Sequence, residues 1–210
     1  MRGGCSLVIL AGGLSRRMGR DKASLPAGDG TLIEHLARRL APVVDETIVA
    51  GGSVRPDLPD VRLVPDRAEG LGPLAGIHAG LTAARHPHVW VVAVDLPDVQ
   101  PAIVTLLGEM SAGYDAVVPR IGGEAQGVCA LYLRSLASRI DALLNAGERS
   151  IKGLLAASNV RYVTPEELHA VDPELRSFRN INTLADYQAW LKAQPNLAKH
   201  EIAEIIHEKP

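Results

Sequence analysis

Aromatic side chains are scarce in this chain, since Phe, Trp and Tyr together make up 3% of its 210 residues. Proteins that hold single-stranded nucleic acid commonly stack bases on aromatic rings, and such a platform is hard to build here. Basic charge is not in excess either, because 22 Lys and Arg face 24 Asp and Glu, for a formal net charge of −2. Nucleic-acid coats usually carry a broad basic excess. We therefore expect no nucleic-acid partner.

Cysteine is also rare, with Cys5 and Cys129 lying far apart inside apolar runs. Two such residues cannot form a disulfide framework or a four-ligand zinc site, and reduced, buried thiols are typical of cytoplasmic proteins. The apolar run at residues 7–11 is too short for a signal peptide or a membrane span. We expect a cytoplasmic protein without a membrane partner.

Apolar residues are plentiful, at 47% of the chain, and 20 Gly and 14 Pro are spread along it. This composition predicts a real core and many short elements joined by tight loops. Short aliphatic runs alternate with amphipathic ones, which is typical of βαβ units. We predict strands at 7–11, 46–50, 61–64, 89–94, 115–119, 128–133 and 159–163, and helices starting at 31 and 73 and spanning 101–110, 135–145, 150–157 and 183–193.

These elements predict a single doubly wound α/β domain, with a mostly parallel sheet and helices on both faces. We place this domain at residues 1–193 and expect a helical C-terminal tail at 194–210, where Leu197, Ile202, Ile205 and Ile206 could form an apolar stripe. This stripe could either dock on the domain or contact a partner chain, and the sequence leaves both alternatives open.

The loop after the first strand combines glycine with positive charge. It reads Leu10-Ala11-Gly12-Gly13-Leu14-Ser15-Arg16-Arg17-Met18-Gly19-Arg20-Asp21-Lys22. Glycines let backbone N–H groups approach a phosphate or a base, and Arg17 and Lys22 could neutralise a triphosphate. A solvated surface loop is the alternative, but four cations after a buried strand favour an anion site. The loop is neither a Walker A motif nor a dinucleotide fingerprint.

A second candidate site follows the strongest predicted strand, which ends at Asp95-Leu96-Pro97. A carboxylate at the carboxyl edge of a parallel sheet can hold Mg²⁺ against phosphate oxygens. The alternative is an Asp in an ordinary turn at the end of a strand, which has the same sequence pattern.

Two later segments could also face a ligand. The small residues of Gly72-Pro73-Leu74-Ala75-Gly76 allow close contact with either a ligand or the sheet. Asn180 and Asn182 are two residues apart on an extended segment, so both amides can face one ligand, while Thr183 can cap the helix that follows.

The run from Leu10 to Lys22 matches, without gaps, the signature L-A-G-G-x-S-x-R-M-G-x-D-K. On this basis the sequence resembles the molybdenum cofactor guanylyltransferases (MobA), among the nucleotidyltransferases with a glycine-rich first loop. The resemblance runs from about residue 7 to about residue 187 and is weak from 99 to 176. It implies a Rossmann-like nucleotidyltransferase fold.

The resemblance also implies roles for individual residues. It gives catalytic roles to Arg17, Lys22 and Asp95, with Asp95 as the Mg²⁺ ligand, and acceptor contacts to Asn180 and Asn182. It places nucleotide contacts at Leu10, Ala11, Gly12, Gly13, Lys22, Gly51, Asp66 and Asp95. The family often has a polar residue near Gly51, where this chain has only small ones. Asp98 receives no role from the resemblance.

The implied activity is Mg²⁺-dependent transfer of GMP from GTP to the molybdenum-molybdopterin cofactor, which forms the guanine dinucleotide cofactor and releases pyrophosphate. GTP and the pterin cofactor would be substrates, and a cofactor carrier or an acceptor molybdoenzyme a protein partner. One alternative is a sibling enzyme that uses CTP or a sugar phosphate. Those relatives tend to have L-A-A-G where this chain has Leu10-Ala11-Gly12-Gly13, and the extra glycine favours the larger guanine. Another alternative is a non-catalytic nucleotide-binding regulator on the same fold.

Overall fold

The first strand, β1 (Cys5–Leu10), is completely buried at the centre of the molecule. The computed structural model describes residues 4–12, 21–52, 54–65 and 72–194. Leu7 and Ile9 pack into the core on one face of the sheet, and Val8 and Leu10 into the core on the other. Because successive side chains of a strand point to opposite faces, an unbroken aliphatic run indicates a strand covered on both sides.

The sheet built around β1 is mostly parallel. Its other strands are β2 (Glu46–Ala50), β3 (Val61–Val64), β4 (His88–Ala93), β5 (Ala116–Ile121), β6 (Glu124–Ala125), β7 (Cys129–Leu133) and β8 (Val160–Val163). The order is β3-β2-β1-β4-β7-β5-β6, and β8 also pairs with β5. Strands β3, β2, β1 and β4 are mutually parallel, whereas β7 runs antiparallel between β4 and β5. The carboxyl ends of β1, β2 and β4 therefore lie at one edge.

Helices cover both faces of this sheet. They are α1 (Leu32–Leu40), α2 (Pro73–Ala83), α3 (Pro101–Glu109), α4 (Leu136–Asn145), α5 (Ile151–Ala156), α6 (Pro165–Leu168) and α7 (Leu184–Lys192). Apolar side chains of α1, α3, α6 and α7 pack with Leu7 and Ile9, and those of α2, α4 and α5 pack with Val8 and Leu10. This two-sided arrangement confirms the predicted doubly wound α/β fold.

Two local features explain where α1 and α2 lie. At the start of α1, the Thr31 hydroxyl accepts a hydrogen bond from the Glu34 backbone N–H (3.4 Å), and the Glu34 carboxylate accepts one from the Thr31 N–H (2.7 Å), which is the predicted capping box. In α2, a Cβ added to Gly80 would lie 2.5 Å from a methyl carbon of Val8. The helix can therefore approach β1 this closely only with glycine at that position.

The predicted strands 46–50 and 61–64 agree with the structure at both ends, and the other predicted strands and helices agree within two residues where both ends were predicted. Two short elements, β6 and α6, were not predicted. β6 pairs with the end of β5 across Gly122-Gly123, a glycine pair typical of tight hairpins. Beyond residue 194 the predicted tail lies outside the described residues. In the described ranges, no helix is both long and apolar enough to span a membrane.

Candidate active site

The candidate site lies at the carboxyl edge of the sheet, where β1 and β4 end side by side. Leu10 pairs with Ala93 in the parallel register, and the Val94 N–H donates to the Leu10 carbonyl oxygen (3.1 Å). The segments that follow these strands therefore leave the sheet next to each other. Ligands of open α/β sheets bind at such an edge.

Three of the predicted site residues meet there. The Lys22 Nζ atom lies 3.3 Å from Asp95 Oδ2 and donates a hydrogen bond to Asn182 Oδ1 at 3.4 Å. The Lys22 and Asp95 side chains are 15% and 26% exposed, so both are partly shielded from water and still accessible to a ligand. The structure thus brings together one cation, one carboxylate and one amide from three distant parts of the sequence.

Local structure fixes the backbone of Lys22. It starts a single 3₁₀ turn (Lys22–Ser24), and the carboxylate of Asp21 accepts the Ala23 backbone N–H at 3.0 Å. Ala23 is completely buried and anchors the turn in the core. This anchoring leaves the lysine at the start of a rigid turn, which suits a residue that must hold its charge in one place.

The asparagine segment is tied directly to the Asp95 loop. The backbone N–H of Ile181 donates to the Asp95 carbonyl oxygen (2.8 Å), and the Ile181 side chain is buried between exposed Asn180 and Asn182. The two asparagines are therefore exposed on the same side of this extended piece. The contact with Lys22 is made by Asn182.

Asp186 holds the segment in place from the first turn of α7. Its carboxylate accepts the backbone N–H groups of Asn182 (3.0 Å) and Thr183 (2.8 Å), while the Thr183 hydroxyl accepts the Asp186 N–H. Hydrogen bonds from these two N–H groups hold the pKa of the Asp186 carboxyl below its usual value, and the nearby charge of Lys22 adds to the effect. Thr183 is thus a helix cap, and the capped segment leaves Asn180 and Asn182 exposed.

On the other side of β1, the backbone at the ends of β1 and β2 is closely packed. The Ala11 N–H donates to Ala50 O, and the Gly51 N–H donates to Val64 O, both at 3.0 Å. Gly52 has a φ of +73°, and a Cβ added there would lie 2.9 Å from the Ala11 carbonyl oxygen. The amides of Ala11 and Gly51 are therefore used by the sheet, and Leu10, Ala11 and Gly51 are buried, whereas Gly12 and Gly52 are exposed.

Three predicted site residues lie outside the described residues. They are Arg17, predicted to be catalytic, and Gly13 and Asp66, predicted to contact the nucleotide.

The residues that do meet fit a magnesium ion held against a nucleotide. A carboxylate and an amide oxygen are hard ligands of the kind that Mg²⁺ accepts, and Mg²⁺ normally takes only one or two carboxylates besides phosphate oxygens and water. Within the ranges that the structure describes, no three His, Cys, Asp or Glu residues cluster as a complete metal cage. Asp95 is accordingly suited to share an ion with substrate phosphates.

One contact at this edge was not predicted from the sequence. Asp98, which follows Asp95 in the same loop, accepts hydrogen bonds from Trp190 Nε1 and Gln194 Nε2, each at 2.9 Å. Trp190 reads in the sequence as an apolar residue of a core helix. The second Asp of the loop was the only local signal that could have pointed to this contact.

Comparisons with known proteins show the family of this chain. Residues 7–162 match the family model described as "MobA-like NTP transferase domain". A protein of Pelotomaculum thermopropionicum named "Probable molybdenum cofactor guanylyltransferase" is 39% identical over 180 residues, which cover 85% of this chain and 88% of that protein. A "Molybdenum cofactor guanylyltransferase" of Syntrophotalea carbinolica is 34% identical over 201 residues, covering 93% and 94%.

Solved structures show the same fold. The molybdopterin-guanine dinucleotide biosynthesis protein A of Archaeoglobus fulgidus superposes with a TM-score of 0.74 at 28% identity, covering 88% of this chain and 95% of that one. The 2-C-methyl-D-erythritol 4-phosphate cytidylyltransferase of Thermus thermophilus superposes with a TM-score of 0.65 at 19% identity, covering 89% and 98%. At that identity the second likeness concerns the fold alone.

Proposed function

The chain belongs to the MobA-like NTP transferase family and is a nucleotidyltransferase, as its first loop predicts, and from this premise we propose that it transfers GMP from GTP to the molybdenum-molybdopterin cofactor. The products are the guanine dinucleotide form of the cofactor and pyrophosphate. The names of the relatives at 34% and 39% identity support the acceptor and the base.

The observation that carries the proposal is the meeting of Lys22, Asp95 and Asn182 at the sheet edge. Nucleotidyl transfer needs positioned charge rather than a protein nucleophile. A cation beside a carboxylate can hold phosphates on one side, and an exposed amide can face a second substrate on the other. The site thus has the parts that two phosphate-bearing substrates require.

In the proposed reaction, a terminal phosphate oxygen of the acceptor attacks the α-phosphorus of GTP in line. The new P–O bond forms as the bond between the α-phosphorus and the oxygen that bridges the α- and β-phosphates breaks. Pyrophosphate leaves with the electron pair of that bond. Lys22 stabilises negative charge on the transferring and leaving groups, and fixed placement of the substrates reduces the entropy that must be lost at the transition state. Arg17 is proposed to assist on the leaving group.

We assign Mg²⁺ to Asp95, with substrate phosphate oxygens completing its ligands. When bound, this ion neutralises phosphate charge and makes the α-phosphorus a better electrophile. The backbone of Leu10 to Gly13, Gly51 and Asp66 is proposed to face the nucleotide, and Asn180 and Asn182 the acceptor.

Thermal-shift measurements with each of the four nucleoside triphosphates plus Mg²⁺ test the nucleotide assignment. A ligand that binds only the folded state raises the free energy of unfolding, by about 2.7 kcal/mol at a hundredfold excess over its Kd, and the thermal midpoint rises with it. We expect GTP to stabilise the protein most. Stabilisation by CTP or ATP but not GTP would refute the guanylyl assignment, whereas GTP binding without pyrophosphate release on addition of the pterin would favour a regulator.

A further inference from the structure

Helix α7, the last helix among the described residues, contacts all three segments that carry the site residues. At its N-terminus, Asp186 fixes the asparagine segment through two backbone N–H groups. In its middle, the Tyr187 hydroxyl donates to the Pro26 carbonyl oxygen at 2.6 Å, just beyond the turn that carries Lys22. From its C-terminal half and the residues after it, Trp190 and Gln194 reach Asp98.

The Asp98 contact links the α7 region to the loop that carries Asp95. One carboxylate oxygen, Oδ1, accepts both the Trp190 indole N–H and the Gln194 amide N–H at 2.9 Å. Trp190 is only 7% exposed, so its N–H would have no acceptor if the carboxylate were removed. Leaving a buried donor without a partner is unfavourable, so this contact opposes displacement of the loop.

Helix α1 also supports this loop. His35 Nε2 donates to the Pro97 carbonyl oxygen at 3.0 Å, and its ring meets Trp190 edge-on with 5.4 Å between ring centroids. The loop between Asp95 and Asp98 is therefore held by side chains of two helices. Asp95 itself makes none of these contacts, and its carboxylate is left to face Lys22.

We propose that Asp98 is a positioning residue, which acts through Trp190 and Gln194 of the α7 region to fix the Asp95 carboxylate against Lys22 and the acceptor-facing asparagines. This inference rests on the proposed function, in that Asp95 is taken as the metal ligand. Groups that orient a metal ligand commonly change metal affinity or activity by about 10–100-fold when they are removed. The same order of effect is expected for Asp98.

Mn²⁺ binding tests this role without turnover. The free Mn²⁺ signal in electron paramagnetic resonance gives the Mn²⁺ dissociation constant of the full chain saturated with a non-hydrolysable GTP analogue. We expect Asp98→Ala to weaken Mn²⁺ binding at least about tenfold. Asp98→Asn keeps an acceptor oxygen for both donors and is expected to restore most of the affinity.

A matched control lies at the opposite end of the sheet. One carboxylate oxygen of Asp115 also accepts two hydrogen bonds, from Arg139 (2.8 Å) and from the Asn159 backbone N–H (3.0 Å). Asp115→Ala should therefore lower the thermal midpoint while leaving the Mn²⁺ dissociation constant unchanged. Trp190→Phe keeps a ring and removes one donor, so it should weaken Mn²⁺ binding less than Asp98→Ala does.

The outcomes separate this inference from the proposed function. Wild-type Mn²⁺ affinity in a folded Asp98→Ala protein, or equal weakening in Asp115→Ala, would overturn the positioning role. Failure of Asp98→Asn to recover affinity would also count against it, because the acceptor geometry is retained. If the wild-type protein binds Mn²⁺ with the nucleotide but releases no pyrophosphate with GTP and the pterin, the proposed function fails while the positioning role is still tested.

Discussion

Replacing Lys22 with Met should damage catalysis far more than stability. The substitution keeps a chain of similar length and removes the charge that lies 3.3 Å from Asp95 Oδ2. At an effective dielectric constant of 20, two unit charges at this distance attract by about 5 kcal/mol. That figure is offset by desolvation and side-chain ordering, and pairs that water can reach typically add only about 0.2–1 kcal/mol to stability. Because these side chains are 15% and 26% exposed, we expect a small loss of stability.

The effect on turnover is of a different size. A preorganised group aimed at charge that develops in the transition state is worth about 2.7–4 kcal/mol, or roughly 10²–10³ in kcat. In the ground state, GTP keeps its other contacts, so its binding should weaken less than kcat falls. Steady-state pyrophosphate release with GTP and the pterin cofactor gives kcat and KM, and calorimetry with a GTP analogue gives the affinity.

The matched control is Lys152→Met, which makes the same chemical change at an exposed position of α5 on the other face of the sheet. It should leave kcat near the wild-type value. Lys22→Arg keeps the charge on a planar group and should recover part of the activity. An unchanged kcat in Lys22→Met, or a loss confined to nucleotide affinity, would refute the catalytic role.

Three further substitutions test the fold and its response to pH. Gly80→Ala should lower the free energy of unfolding in chemical denaturation by about 1–2 kcal/mol, because the added methyl meets Val8 and overpacking outweighs the helical gain of about 1 kcal/mol. Combining it with Val8→Ala should relieve the clash, so simple additivity of the two changes in unfolding free energy would contradict this reasoning. Glu34→Ala should lower the free energy of unfolding by about 2–3 kcal/mol, since its buried carboxylate accepts two backbone N–H groups, and an unchanged urea midpoint would argue against the capping box. Burial lowers the pKa of His35 below 6.5, so the unfolded state binds a proton on this residue more readily than the folded state does, and stability should fall as the pH drops through and below 6.5. His35→Gln should flatten this pH dependence of stability, and a pH profile identical to that of the wild type would contradict the role given to His35.

Sequence patterns predicted the architecture well because this fold follows from local rules. Short, unbroken aliphatic runs such as the one around Leu7 and Ile9 are typical of a strand covered on both faces. The pair Thr31 and Glu34 marks the start of a helix. The antiparallel direction of β7 was not predicted, because the sequence of a buried strand carries no mark of its direction.

The meeting of Lys22 and Asp95 was predictable for a similar reason. Both residues follow neighbouring parallel strands, and the carboxyl ends of such strands share one edge. The role of Asp98 was not predictable in this way. Its partner Trp190 is 92 positions away, and their contact depends on how α7 packs against the rest of the domain. Such a contact is determined by tertiary packing, which the local hydrophobic periodicity of the sequence does not predict.

The nucleotide that is transferred and the acceptor that receives it define the proposed activity. Incubating the protein and Mg²⁺ with molybdenum-loaded molybdopterin and equal concentrations of GTP, CTP, ATP and UTP, followed by mass spectrometry of the pterin product, measures both at once. We predict a guanine dinucleotide cofactor formed with one pyrophosphate released per molecule of product. A cytosine dinucleotide as the main product, or consumption of GTP without a pterin adduct, would contradict the proposal.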